Sequence, residues 1–143
     1  MIGYKKVFID TAPFIYYIEK NEDNPQYFEK MKSFFAESYD RDVAFNTSVI
    51  TVEEYFVFPY RNNMQCYIDM FEKLIRTLGV NIVSIDGEIA KKAAKIRAEY
   101  KAFKSMDALQ LSTAVLTGCD LFLTNDKQLK QFSEIKCITV DDL

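Results

Sequence analysis

Residues 105–126 read "SMDALQLSTAVLTGCDLFLTND". The first part reads as a helix that ends at Gly118, where a helix C-terminus favours a left-handed residue. Residues 120–124 follow as a short apolar strand, and Asp126 comes two residues after its end. A short strand bounded by helices implies crossover connections, and therefore a parallel sheet. Two acids flank this strand. At ~3.3 Å per residue, Asp120 and Asp126 lie roughly 15 to 20 Å apart. Ligands of such sheets collect at the carboxyl ends of the strands. That rule selects Asp126 over Asp120.

The same alternation extends in both directions. Toward the N-terminus, 6–9 reads as a strand and 12–20 as a helix. Then follow a helix over 24–38, a strand over 42–48 and a helix over 48–60 ended near Pro59. A helix over 62–78, a strand over 80–85 and a helix over 86–103 complete that half, and Ser105 is the expected cap of the next helix. After Asp126 come a short helix and a strand at 136–140. The expectation is one three-layer α/β/α domain over 1–143, with a central parallel sheet of about five strands.

Composition narrows the chemistry. There is no histidine among the 143 residues, which removes His-based nucleophilic triads, imidazole acid–base catalysis and His-ligated metals. Cys66, Cys119 and Cys137 are odd in number and widely spaced, forming neither a disulfide framework nor a zinc motif, so a reducing cytoplasm is expected. No apolar run approaches the ~20 residues of a membrane span. Lys5 and Lys6 precede an apolar run that Asp10 cuts at once, so a signal peptide and a membrane partner are not expected. The formal net charge of −3 argues mildly against a general nucleic-acid coat.

Chemistry therefore falls to the acids. Asp10 follows the first strand in "KKVFIDTAPFIYYIEK" (5–20) and reads equally as a helix N-cap or as a functional carboxylate. Asp126 offers the same two readings. Asp107 lies in a first helical turn, where an acid complements the helix dipole, yet its helix is otherwise almost uncharged. Glu53 and Glu54 interrupt an apolar helix, and spacing alone leaves both open. Asp86 follows the third strand but precedes a Lys-rich amphipathic helix, so capping explains it fully. Acids from four elements repel one another, and burial raises their pKa values. Without His or Cys ligands, the compensating charge is a hard divalent ion, Mg²⁺ or Mn²⁺. Such an ion activates water and stabilises charge during displacement at phosphorus. The residues alone therefore indicate a metal-dependent phosphodiesterase or phosphatase.

The motifs resemble PIN-domain nucleases, in particular the small VapC-like toxins of toxin–antitoxin pairs. "VFIDTAPFIYYIE" is similar to the family's opening strand and acid, and "SVITVEEYF" to its Ser-x-x-Thr-x-x-Glu segment. "SMDALQLSTAVLTGCDLFLTND" is similar to its long third segment. The resemblance runs from residue 6 to about 140. Ala12, Met106 and Asn125 stand where many relatives carry Asn, Pro and a basic residue; none of these differences removes a carboxylate.

The resemblance implies that Asp10, Glu54, Asp107 and Asp126 are catalytic and hold one or two Mg²⁺ or Mn²⁺ ions. Ser48 and Thr51 set the register that selects Glu54 over Glu53, and Thr11 and Thr124 are supporting hydroxyls. It further implies RNA as substrate, a homodimer, and an antitoxin partner that blocks the site. The alternatives are a non-catalytic PIN-like module that binds RNA or protein, and a housekeeping RNA-processing nuclease without an antitoxin. A haloacid-dehalogenase-type phosphatase is disfavoured because Ala12 stands where its second Asp belongs, and a receiver domain is matched only by Asp86.

Setting the four acids aside leaves a formal charge of +1, so the remaining surface does not repel RNA. Lys5, Lys101, Lys104, Lys127 and Lys130 are candidate phosphate contacts. Aromatic residues concentrate in the first half of the chain. Most are expected in the core; an excess could take an antitoxin helix or a dimer mate, or stack on RNA bases.

Overall fold

The computed structural model describes residues 3–20 and 22–143. Its sheet contains β1 (Lys6–Ile9), β2 (Ala44–Ser48), β3 (Asn81–Val83), β4 (Leu121–Thr124) and β5 (Lys136–Thr139). All pairings are parallel, in the order β3-β2-β1-β4-β5. The helices are α1 (Thr11–Glu19), α2 (Pro25–Asp40), α3 (Val49–Arg61), α4 (Gln65–Leu78), α5 (Gly87–Glu99) and α6 (Ser105–Leu116). Two short 3₁₀ turns, at Lys127–Gln131 and Val140–Asp142, flank β5.

Strand parity explains the three layers. Successive side chains of a strand point to opposite faces, and here they feed two separate cores. Val7, Ile9, Leu121, Leu123 and Ile138 pack with Phe14, Met31, Phe34, Phe45, Tyr55 and Phe71, in a core that includes α1 to α4. Phe8, Phe122 and Cys137 face the other way and pack with Ala93, Ile96, Ala108 and Leu111 of α5 and α6. Phe8 and Phe122 lie on neighbouring strands with their rings stacked at 5.2 Å and 2°. Burying a Phe side chain contributes about 1.5–3 kcal/mol, so this pair anchors the second layer. Most first-half aromatics are core residues as expected, although Tyr39, Phe58 and Tyr60 are exposed.

Several element ends differ from the sequence reading, each for a local reason. β3 has three residues instead of six, because it is an edge strand pairing only with β2, which itself ends at Ser48. α3 continues through Pro59 to Arg61; a proline this close to a helix end forfeits a single hydrogen bond. α5 stops at Glu99, where the Tyr100 backbone leaves helical geometry (φ −108°, ψ 84°) and its ring stacks on Phe103, with centroids 4.8 Å apart. The cap position of α6 is Lys104 and not Ser105, with no side-chain cap bond.

At the amino edge, Asp120 accepts from the backbone N–H groups of Lys5 (3.0 Å) and Lys6 (3.1 Å). It is thereby accounted for structurally. Lys5 stands at this same edge, opposite the one the candidate acids occupy, and is withdrawn as a phosphate contact.

Candidate active site

Register brings the site together. Ile9 pairs with Leu123, and Asp10 N–H continues that ladder to the Leu123 carbonyl at 2.9 Å. Asp10 and Thr124 therefore leave adjacent strands side by side. Thr124 Oγ1 donates to Asp10 Oδ2 at 2.8 Å. β2 lies on the other side of β1 and ends at Ser48, whose hydroxyl accepts from Ile50 N–H and caps α3.

Asp10 caps α1, its Oδ1 accepting from Thr11 N–H at 2.9 Å. Asp126 caps the Lys127–Gln131 turn through Gln128 N–H at 2.9 Å. Asp86 caps α5 through Ile89 N–H at 2.9 Å. The capping reading thus holds for all three strand-end aspartates. It leaves Asp10 and Asp126 available for more, because each carboxylate has about four lone-pair positions.

Glu53 and Glu54 are both exposed, but Glu54 is the one tied to the residues around Asp10. Thr11 Oγ1 donates to Glu54 Oε1 at 2.7 Å, whereas Glu53 lines a surface hollow with Val52, Phe56, Val57 and Tyr60. Asp107 lies half-buried in the first turn of α6. Its carboxyl is pushed up to about 6, first by burial and then by the charges of Asp10, Asp126 and Glu54; Lys104 opposes the shift. Asp10 is also raised by burial, with hydrogen bonds from Thr11, Thr124 and Gln110 opposing and the Asp126 charge adding. Glu54 is raised by partial loss of hydration, opposed by Thr11 and reinforced by Asp10 and Glu53.

The four acids expected from the sequence are therefore drawn from four elements into one mutually repelling group. Among the described residues, no three acid or cysteine side chains converge closely enough to hold an ion as they stand. The donor set itself is hard oxygen, with shared negative charge and with proton affinity raised at Asp10, Glu54 and Asp107. That chemistry suits a divalent cation of the Mg²⁺ or Mn²⁺ type.

Gln110 was not singled out from the sequence. It is 1% exposed, and its Nε2 donates to Asp10 Oδ1 (3.2 Å) and to Thr51 Oγ1 (2.8 Å), while its Oε1 accepts from Ser48 Oγ. The available signal was an amide inside an apolar helix, three residues after Asp107 and so on the same face. Asn125 Nδ2 donates to the Tyr16 hydroxyl, tying the segment between Thr124 and Asp126 to α1.

Of the candidate lysines, Lys104 is near enough to act on Asp107, and Lys127 directly follows Asp126. Lys130 is paired with Asp142 at 2.7 Å. Cys66, Cys119 and Cys137 are free thiols. No helix of the described residues is long and apolar enough to cross a membrane.

Comparison with solved structures shows the same fold. A chain of VapBC2 from Rickettsia felis, bound to a promoter DNA fragment, superposes with a TM-score of 0.69 at 17% identity, covering 94% of this chain and 98% of that one. A chain of a toxin–antitoxin complex from Klebsiella pneumoniae gives 0.67 at 21% identity, covering 94% and 97%. A chain of FitAB bound to the IR36 DNA fragment gives 0.66 at 17%, covering 94% of both chains. In sequence, the chain is 29% identical over 108 residues to the phenylalanine–tRNA ligase beta subunit of Sulfolobus acidocaldarius, 73% of this chain but a fifth of that protein's length. The PIN domain family model matches residues 7–135, nearly the whole chain and a range that includes Asp10, Glu54, Asp107 and Asp126: the chain belongs to the PIN domain family.

Proposed function

We propose that the protein is a Mg²⁺- or Mn²⁺-dependent endoribonuclease that hydrolyses RNA phosphodiester bonds, acting as the toxin of a toxin–antitoxin pair. The observation that carries this reading is the gathering of Asp10, Glu54, Asp107 and Asp126 from four elements in a PIN-family chain, near enough that the charges of the other three add to burial in raising the Asp107 carboxyl. Such repulsion is tolerated where a cation offsets it. Asp10, Asp107 and Asp126 would supply oxygens to the ion directly or through water. Glu54, held by Thr11, would complete the charge or orient the attacking water. A bound divalent ion supplies Lewis acidity toward the phosphate and lowers the pKa of water.

The toxin assignment is supported by the similarity to chains of VapBC2 and of a Klebsiella pneumoniae toxin–antitoxin complex. An antitoxin partner, a homodimer and a cytoplasmic setting belong to the same proposal. Purified protein incubated with RNA and Mn²⁺, alongside Asp10→Asn, tests the activity. Cleavage by the parent and none by the variant is expected; equal cleavage by both would falsify the reading. An adjacent gene for a DNA-binding antitoxin distinguishes a toxin from an RNA-processing nuclease.

A further inference from the structure

We propose that Gln110 is a positioning residue that locks the Asp10 carboxylate and sets α6 against the start of α3, so that acids on separate elements share one site. The inference rests on the metal-site reading above. It begins from cost: a buried amide inside an apolar helix is unfavourable unless its polar atoms are bonded. Gln110 uses both ends. Nε2 donates to Asp10 Oδ1 and Thr51 Oγ1, and Oε1 accepts from Ser48 Oγ.

The chemistry fixes the orientation of this amide. An ionised Asp10 can only accept, so the end of Gln110 facing it must be the nitrogen. Ser48 Oγ already accepts from Ile50 N–H, so its own proton is free for the Gln110 oxygen. Rotating the amide by half a turn would set oxygen against the carboxylate and lose the bond to Asp10, the one partner here that cannot switch from accepting to donating. The amide therefore has one arrangement, and Asp10 Oδ1 is held between it and Thr11 N–H. Through Ser48 and Thr51, the same side chain touches both ends of the first turn of α3, the helix that carries Glu54. Asp107 lies one turn before it on α6. A leucine or methionine could fill the space, but it would donate nothing.

The test is calorimetric titration of Mn²⁺ into the parent, Gln110→Met, Asp86→Ala and Asp10→Asn. Asp86→Ala removes the cap of α5, a helix that carries none of the four acids, and controls for general destabilisation. Gln110→Met is expected to weaken Mn²⁺ binding about 10- to 100-fold, the range for outer partners of metal ligands, with Asp86→Ala matching the parent. Parent affinity in Gln110→Met, with binding lost in Asp10→Asn, would overturn the role of Gln110 and leave the metal-site reading standing. Parent affinity in Asp10→Asn would overturn that reading itself, and the role of Gln110 with it. A measurement on the unmutated chain avoids dependence on how the variant folds. By NMR, the Gln110 side-chain NH₂ pair should exchange slowly with solvent and shift on addition of Mg²⁺; fast exchange without a shift would overturn the proposal.

Discussion

Thr124 Oγ1 donates to Asp10 Oδ2 at 2.8 Å across two adjacent parallel strands, and the same hydroxyl accepts from Asp126 N–H at 3.2 Å. One buried side chain thus connects the acid after β1 to the acid after β4. Thr124→Val keeps the shape and removes both bonds. It should cost about 1–3 kcal/mol, the range for leaving such partners unsatisfied, measured by urea unfolding. RNA cleavage should fall ~10- to 100-fold. Activity at the parent level would show that the hydroxyl serves packing alone.

The acids also set a pH dependence. In the metal-free protein Asp107 is raised to about 6 from an ordinary value of 3.8, so the folded state binds a proton more tightly than the unfolded one. Its contribution is complete below the unfolded value and is lost as pH rises through about 6. Thermal melts in chelator should therefore show a fall in stability between about pH 4 and 6 that Asp107→Asn reduces. Mg²⁺ should raise the melting temperature more at pH 7 than at pH 5. A metal response independent of pH would count against a shared carboxylate site.

Asp142 behaves in the opposite sense. Lys130 and the Thr139 backbone hold its carboxyl down at about 2. Its stabilising contribution is present above the ordinary carboxylate value and fades as pH falls toward 2. Because the pair is substantially exposed, the effect is small. Lys130→Ala should move the Asp142 carboxyl resonance midpoint upward in an NMR titration, and an unmoved midpoint would refute the pairing.

The second core offers a test of the fold. Phe122 is fully buried and stacks on Phe8 between α5 and α6. Phe122→Ala should destabilise by about 3–5 kcal/mol, read from denaturant midpoints. A loss below 1 kcal/mol would mean the two layers are held together some other way.

The layered α/β architecture was legible because β1 and β4 are short apolar runs ending on acids, and because Gly118 marks a helix end. Asp10 and Asp126 could be placed on one edge by strand direction alone, and Asp120 excluded by the same rule. What the sequence left open depends on registers between distant segments. Gln110 meets Thr51 and Asp10, 59 and 100 residues away, and Asn125 meets Tyr16, 109 residues away. No local pattern encodes such pairs. Helical spacing alone left Glu53 and Glu54 open, and the resemblance to the Ser-x-x-Thr-x-x-Glu segment selected Glu54. The difference between the two turns on the rotation of α3 about its axis, which Ser48 and Thr51 set by bonding to Gln110. The length of β3 depends on where its single partner strand ends.

A catalytic divalent ion shared by Asp10, Glu54, Asp107 and Asp126 is tested most sharply by the anomalous difference map of crystals soaked in Mn²⁺. A peak is expected among the carboxylates of Asp10, Asp107 and Asp126, close to Glu54, and it should disappear in Asp10→Asn crystals. A saturating soak with no peak at this edge of the sheet, or a peak that survives Asp10→Asn unchanged, would contradict a shared ion.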